Sequence, residues 1–133
     1  MKFAHRLDDE RGMATLETTL MILVLLPLLF GILEFGDALQ RWLAQDSATV
    51  QAARYAAELG GDAPEVRSLL ADALRSSGID PERAAVEVEP SQVGWRQPIR
   101  VTVRTDFPLA IPFVFSSSLP LRSTAFARGE VNR

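Results

Sequence analysis

A chain of 133 residues with no cysteine and a single histidine, His5, excludes a disulfide framework and a cysteine zinc site, and almost excludes histidine-based metal binding or catalysis. A net charge of −3 and a pI near 5.1, with arginines dispersed rather than clustered, argue against nonspecific nucleic-acid binding. Hydrophobic residues make up 47% of the chain while its mean hydropathy is only +0.09, so the apolar content must be concentrated in one place.

That place follows a short, charged, non-periodic segment, residues 1–12, which reads as a cytoplasmic leader. From Met13 to Leu33 the only charge is Glu17. As a helix rising 1.5 Å per residue this stretch is about 31 Å long, close to the hydrocarbon thickness of a bilayer. Residues 13–36 are therefore predicted to span the membrane. Pro27 should bend or loosen the helix, and Gly31 and Gly36, five apart, do not form the i, i+4 packing motif. A carboxylate at the centre of a membrane helix costs roughly 2.5–3.5 kcal/mol on insertion scales. Glu17 needs either the interface or a partner. Lys2, Arg6 and Arg11 precede the span and only Arg41 follows closely, which sets the N-terminus in the cytoplasm and the C-terminal bulk outside.

Residues 37–60 hold no proline, and no glycine before Gly60, and should carry the helix on into water. Leu39, Trp42, Leu43 and Asp46 share one face, with Val50 and Ala53 nearby. Gly60-Gly61 is a strong stop. Asp62, Pro64 and Glu65 then read as a capped helix start, and Val66, Leu69, Leu70, Ala73 and Leu74 form one apolar face up to Ser77-Gly78. After Pro81 the period changes to two. Val86 and Val88 alternate with Glu87 and Glu89, and Ile99, Val101 and Val103 with Arg100, Thr102 and Arg104. An antiparallel pair would place these glutamates and arginines on a shared exposed face. Residues 121–130 read as a third strand with neither face decisively apolar. The uncharged stretch 107–121, broken by Pro108, Pro112 and Pro120, reads as a loop that either covers a small core or offers Phe113 and Phe115 to a partner or a membrane surface. The expected fold is α+β: a long N-terminal helix, a short amphipathic helix and a small antiparallel sheet of about three strands, with residues 61–133 as an extracytoplasmic domain.

The run Glu10-Arg-Gly-Met-Ala-Thr-Leu-Glu17 ahead of a Leu-rich span resembles the class III leader of type IV pilin-like proteins. The wider chain is similar to the TadE-like pseudopilins of the tight-adherence (Tad) pilus system. The features that carry this likeness are Arg11-Gly-x-Ala14-x-x-Glu17, the Leu23–Leu29 stretch, Gly31-x-x-Glu34-x-Gly36 and Gln51-Ala-Ala-Arg54-Tyr55-Ala-Ala57. The resemblance implies cleavage by a prepilin peptidase after Gly12, leaving Met13 as the new N-terminus and Glu17 as the fifth residue, the one that serves subunit assembly. It implies other pilins, pseudopilins and Tad platform proteins as partners. It also implies a single-pass inner-membrane location with the C-terminal domain periplasmic or extracellular, and a role in pilus biogenesis or adherence as a minor pilin. Arg54 and Tyr55 match the pattern and are either partner contacts or part of a solvated helix face. Glu34 either lines a subunit contact or marks the outer end of the span.

Three other readings compete. The chain could be an unprocessed signal anchor carrying a monomeric extracytoplasmic binding module. Gly36-Asp37-Ala38 is a weak signal-peptidase site, disfavoured by Glu34 and Phe35 just before it. An enzyme would need a phosphate loop, a Ser/His/Asp set or metal-ligand spacing, and none is found. No catalytic residue, cofactor, metal, nucleic acid or small-molecule substrate is expected.

Overall fold

The computed structural model describes residues 2–131, with side chains described from Gly12 onward. Helix α1 runs over Lys2–Leu59. Pro27 lies inside the helix without ending it. Having no N–H, it cannot donate to the carbonyl of Leu23. The apolar residues of the span, from Met13 to Leu33, are exposed in the isolated chain, and the helix from Gly12 on is long and apolar enough to cross a membrane.

At the top of α1 the chain reverses through Gly60 (φ 82°) and Gly61 (φ 142°). A side chain at Gly61 would put its Cβ 2.1 Å from the Ser91 carbonyl oxygen, so both conformation and space demand glycine there. Helix α2, Pro64–Ser76, starts with proline in its first turn as expected. The expected side-chain cap is absent. Ala63 occupies the cap position and makes no side-chain bond, while Asp62 turns to Arg67 in a two-pronged pair of 2.9 and 2.7 Å. Its hydrogen bond raises the Arg67 pKa further above its ordinary value. At the other end the Ile79 N–H donates to Leu74 O and the Gly78 N–H to Arg75 O, a two-bond closure with Gly78 at φ 72°.

The sheet has the order β1-β2-β3, all antiparallel: β1 is Ala85–Glu89, β2 Pro98–Ile111 and β3 Phe115–Arg128. Glu89 faces Arg100 across the β1–β2 pair and bonds to it, and Arg104 reaches Glu87 at 3.4 Å, as the alternation implies. Strands β2 and β3 are much longer than the periodicity suggests. The stretch 107–121 is no loop. It is the far half of a hairpin, with Pro108 opposite Ser118 and Pro120 opposite Asp106. Proline is tolerated because both stand on free edges: β3 has no outer neighbour, and β2 loses β1 beyond Arg104.

The main core packs Val66, Leu70 and Leu74 of α2 and Ile99, Val101 and Val103 of β2 against Ala48, Ala52, Ala53, Ala56 and Ala57 of α1. Leu69 is only half-buried. The face that α1 buries is thus a stripe of small residues. Leu39 and Leu43, on the mixed face shared with Trp42 and Asp46, are each 55% exposed. Alanines let the sheet approach the helix closely, and dense packing compensates for their small apolar area. In the third strand the face that turns inward is Leu121, Ser123 and Ala125.

Candidate functional site

Strand β2 runs down the inner face of α1 toward its exposed apolar stretch. Below the main core, Gln45 is fully buried in this contact. Its Nε2 donates to Val103 O (3.0 Å), Leu121 O (3.4 Å) and Ser123 Oγ (3.3 Å), and its Oε1 accepts from Thr105 Oγ1. One helix side chain thereby ties both long strands to α1. One turn down, the Arg41 guanidinium stacks 5.2 Å over the Phe107 ring while donating to Asp37 Oδ2 and Gly78 O, each at 3.3 Å. Trp42 donates from Nε1 to Arg122 O at 3.2 Å. Below that, Ala38, Phe107, Leu109 and Leu121 form a second small core. Lowest of all, Ile111 Cδ1 lies 3.5 Å from where a Cβ on Gly31 would stand.

The residues singled out from sequence are spread along this axis and do not form one site. Gly12, Met13 and Glu17 are exposed near the lower end of α1. Among the described residues Glu17 has no hydrogen-bond or ion-pair partner. Thr18 and Thr19 beside it donate their hydroxyls to the carbonyls of Ala14 (2.9 Å) and Thr15 (2.8 Å), which satisfies two hydroxyl donors within the helix. Glu34 is half-buried, about 26 Å higher at 1.5 Å per residue. Arg54 is exposed near the top, and Tyr55 is half-buried against the main core. Phe113 is 91% exposed and Phe115 46% exposed at the hairpin tip, far in sequence from the span yet next to it in space.

Sequence reasoning missed the partners of that tip. Val24, Pro27, Leu28, Gly31, Ile32 and Phe35 of α1, with Ile111 and Val114, line one continuous apolar groove. The absence of charge from 107 to 121 was the available signal, but nothing in the sequence pointed it at Gly31. A separate cleft of about 540 Å³ lies beside Arg41, Asp80, Arg83 and Asp106. Two of its charged groups, Arg83 and Asp80, pair with each other at 3.8 Å. Among the described residues no group of three His, Cys, Asp or Glu is placed to hold a metal ion.

One exposed helix of spanning length continues into a small α+β headpiece, an arrangement compatible with a single-pass membrane anchor. Residues 12–54 of the chain, its long apolar stretch and the helix above it, match the family model of the TadE-like proteins. The match begins at Gly12. No curated protein and no solved structure matches the chain.

Proposed function

We propose that this chain is a minor pilin or pseudopilin of a Tad-type pilus machine, cut after Gly12 by a prepilin peptidase, anchored with its N-terminus in the cytoplasm, and working by assembly rather than catalysis. The observation that carries the reading is Glu17. It is an exposed carboxylate at the lower end of the span, without a partner among the described residues, inside a segment that matches the TadE-like family.

Cleavage would free an ammonium at Met13, one helical turn from Glu17. An ion pair with that group, or with the ammonium of a neighbouring subunit, would offset the desolvation of the acid. Buried pairs of this kind are better attested as devices for fixing register than as sources of stability. Gly12 supports the cleavage step. Glycine costs a helix interior about 1 kcal/mol relative to alanine, so the chain opens there more readily for a protease. Glu34 at the outer end of the span, and Arg54 and Tyr55 above it, are proposed contacts for other pilins and platform proteins.

Glu17→Ala should leave membrane insertion intact and impair pilus or complex assembly. Gly12→Ala should block processing. Crosslinking in cells that carry the rest of the machine tests both. Wild-type pilus levels and crosslinks in Glu17→Ala would contradict the assembly role. Absent crosslinks together with an unprocessed wild-type chain would favour an unprocessed anchored binding module.

A further inference from the structure

We infer that the β2–β3 hairpin tip, residues 111–115, is a second membrane contact that dips into the acyl region of the outer leaflet beside the spanning helix. The inference rests on the proposed anchoring of α1 in a bilayer and adds to it a surface of the headpiece with a defined partner, lipid acyl chains.

The first observation is depth. Ile111 abuts Gly31, and Ile111 and Val114 share a groove with Val24, Pro27 and Leu28. These α1 residues lie inside the segment that must sit in hydrocarbon if the helix spans. At 1.5 Å per residue, Gly31 is about 4–5 Å and Pro27 about 10 Å below Glu34, the first charge above the span. Side chains of amphipathic segments at a membrane surface are typically buried about 5–10 Å, the same range.

The second observation is charge. On the helix no charged residue stands between Glu17 and Glu34, and on the hairpin none stands between Asp106 and Arg122. Two elements from opposite ends of the chain thus share one uncharged slab. A soluble hairpin tip carrying Phe113, Val114 and Phe115 at 91%, 59% and 46% exposure would present an apolar patch to water without a charge to offset it.

The third observation is backbone conformation. The Val114 N–H donates to Ile111 O at 3.2 Å, closing a turn with Pro112 and Phe113 at its centre. Phe113 adopts φ 66°, a region that favours glycine. Holding a non-glycine residue there costs on the order of 1–3 kcal/mol. A phenylalanine kept at that position and pointed away from the protein has a use outside it.

Open strand edges are costly in hydrocarbon, which keeps the insertion shallow. Pro108, Pro112 and Pro120 carry no N–H to orphan, and Ser116, Ser117 and Ser118 lie one to three residues above the paired Ile111 and Phe115, where headgroups would meet them.

Because the chain has no cysteine, single cysteines can be introduced without other changes. Full-length Phe113→Cys, Leu25→Cys and Arg83→Cys would each be labelled with the fluorophore NBD and reconstituted into phosphatidylcholine–phosphatidylglycerol vesicles, with doxyl groups high or low on the acyl chains. The expected result is blue-shifted emission at 113, quenched most by the shallow doxyl lipid. Emission at 25 should be quenched most by the deep one, and emission at 83 by neither. Quenching at 25 without quenching at 113 would overturn the hairpin contact and leave the anchor standing. No quenching at 25 would overturn the anchor reading, and the hairpin contact with it. A blue shift at 113 that appears only in protein-rich vesicles and escapes both quenchers would overturn the proposal in favour of a second copy of the chain.

Discussion

Gln45 shows how much of this fold rests on one polar side chain. It is buried at the junction of α1, β2 and β3 with its donors and its acceptor engaged. Gln45→Leu would leave the Thr105 hydroxyl and the carbonyl of Val103 buried without that partner. An unsatisfied buried polar group costs about 1–3 kcal/mol. The variant should therefore lose about 2 kcal/mol or more, read as a lower Tm by circular dichroism in detergent, whereas Gln40→Leu on the exposed side should change little. None of this was legible beforehand. A glutamine among alanines gives no hydrophobic signal, and its partners lie 58 to 78 residues away.

Among the elements, the regular ones were readable and their extents were not. Gly60-Gly61 ended α1 as expected because only glycine fits there, and the Val66-to-Leu74 periodicity marked α2 because its inner face is aliphatic. The alternating valines marked β1 and the first half of β2. The rest of β2 and β3 was hidden by Pro108 and Pro120, which read as breakers until free edges are known. The small-residue face of α1 was hidden because alanine is common on any helix. Surface charge and core packing also separate at this scale. The Glu87 and Glu89 pairs with Arg104 and Arg100 are half-exposed, and such pairs contribute about 0–1 kcal/mol. The double variant Glu87→Gln/Glu89→Gln removes two such pairs and should lower stability by less than about 2 kcal/mol, less still in high salt. Leu70→Ala, at a side chain only 1% exposed, should cost about 2–5 kcal/mol. A urea titration of both variants side by side checks the ranking. Equal losses would mean the sheet is held by its charges.

Taken whole, the molecule is one long helix with everything else packed on its upper inner face. The headpiece has no disulfide, and a third of the buried residues of its main core come from α1. Small domains with little buried area are marginal on their own. A fragment comprising residues 37–133 should therefore fold, with dispersed amide resonances and strand content. A fragment comprising residues 61–133 should not, since it lacks Ala48, Gln45 and the alanines above them. A folded 61–133 fragment would show that the helix is only a tether. The family likeness was legible from the N-terminal motif, and the match to residues 12–54 agrees with it. The headpiece beyond the match was legible only as α+β, because short strands and a small helix recur in many folds.

The proposed function requires that the chain be released from its leader, so that Glu17 can meet a new terminal amine. N-terminal sequencing and intact-mass measurement of the chain recovered from cells carrying the prepilin peptidase test this directly. The expected first residue is Met13, with full-length material accumulating only when the peptidase is deleted. Recovery of a chain that still begins at Met1 from peptidase-positive cells would contradict it.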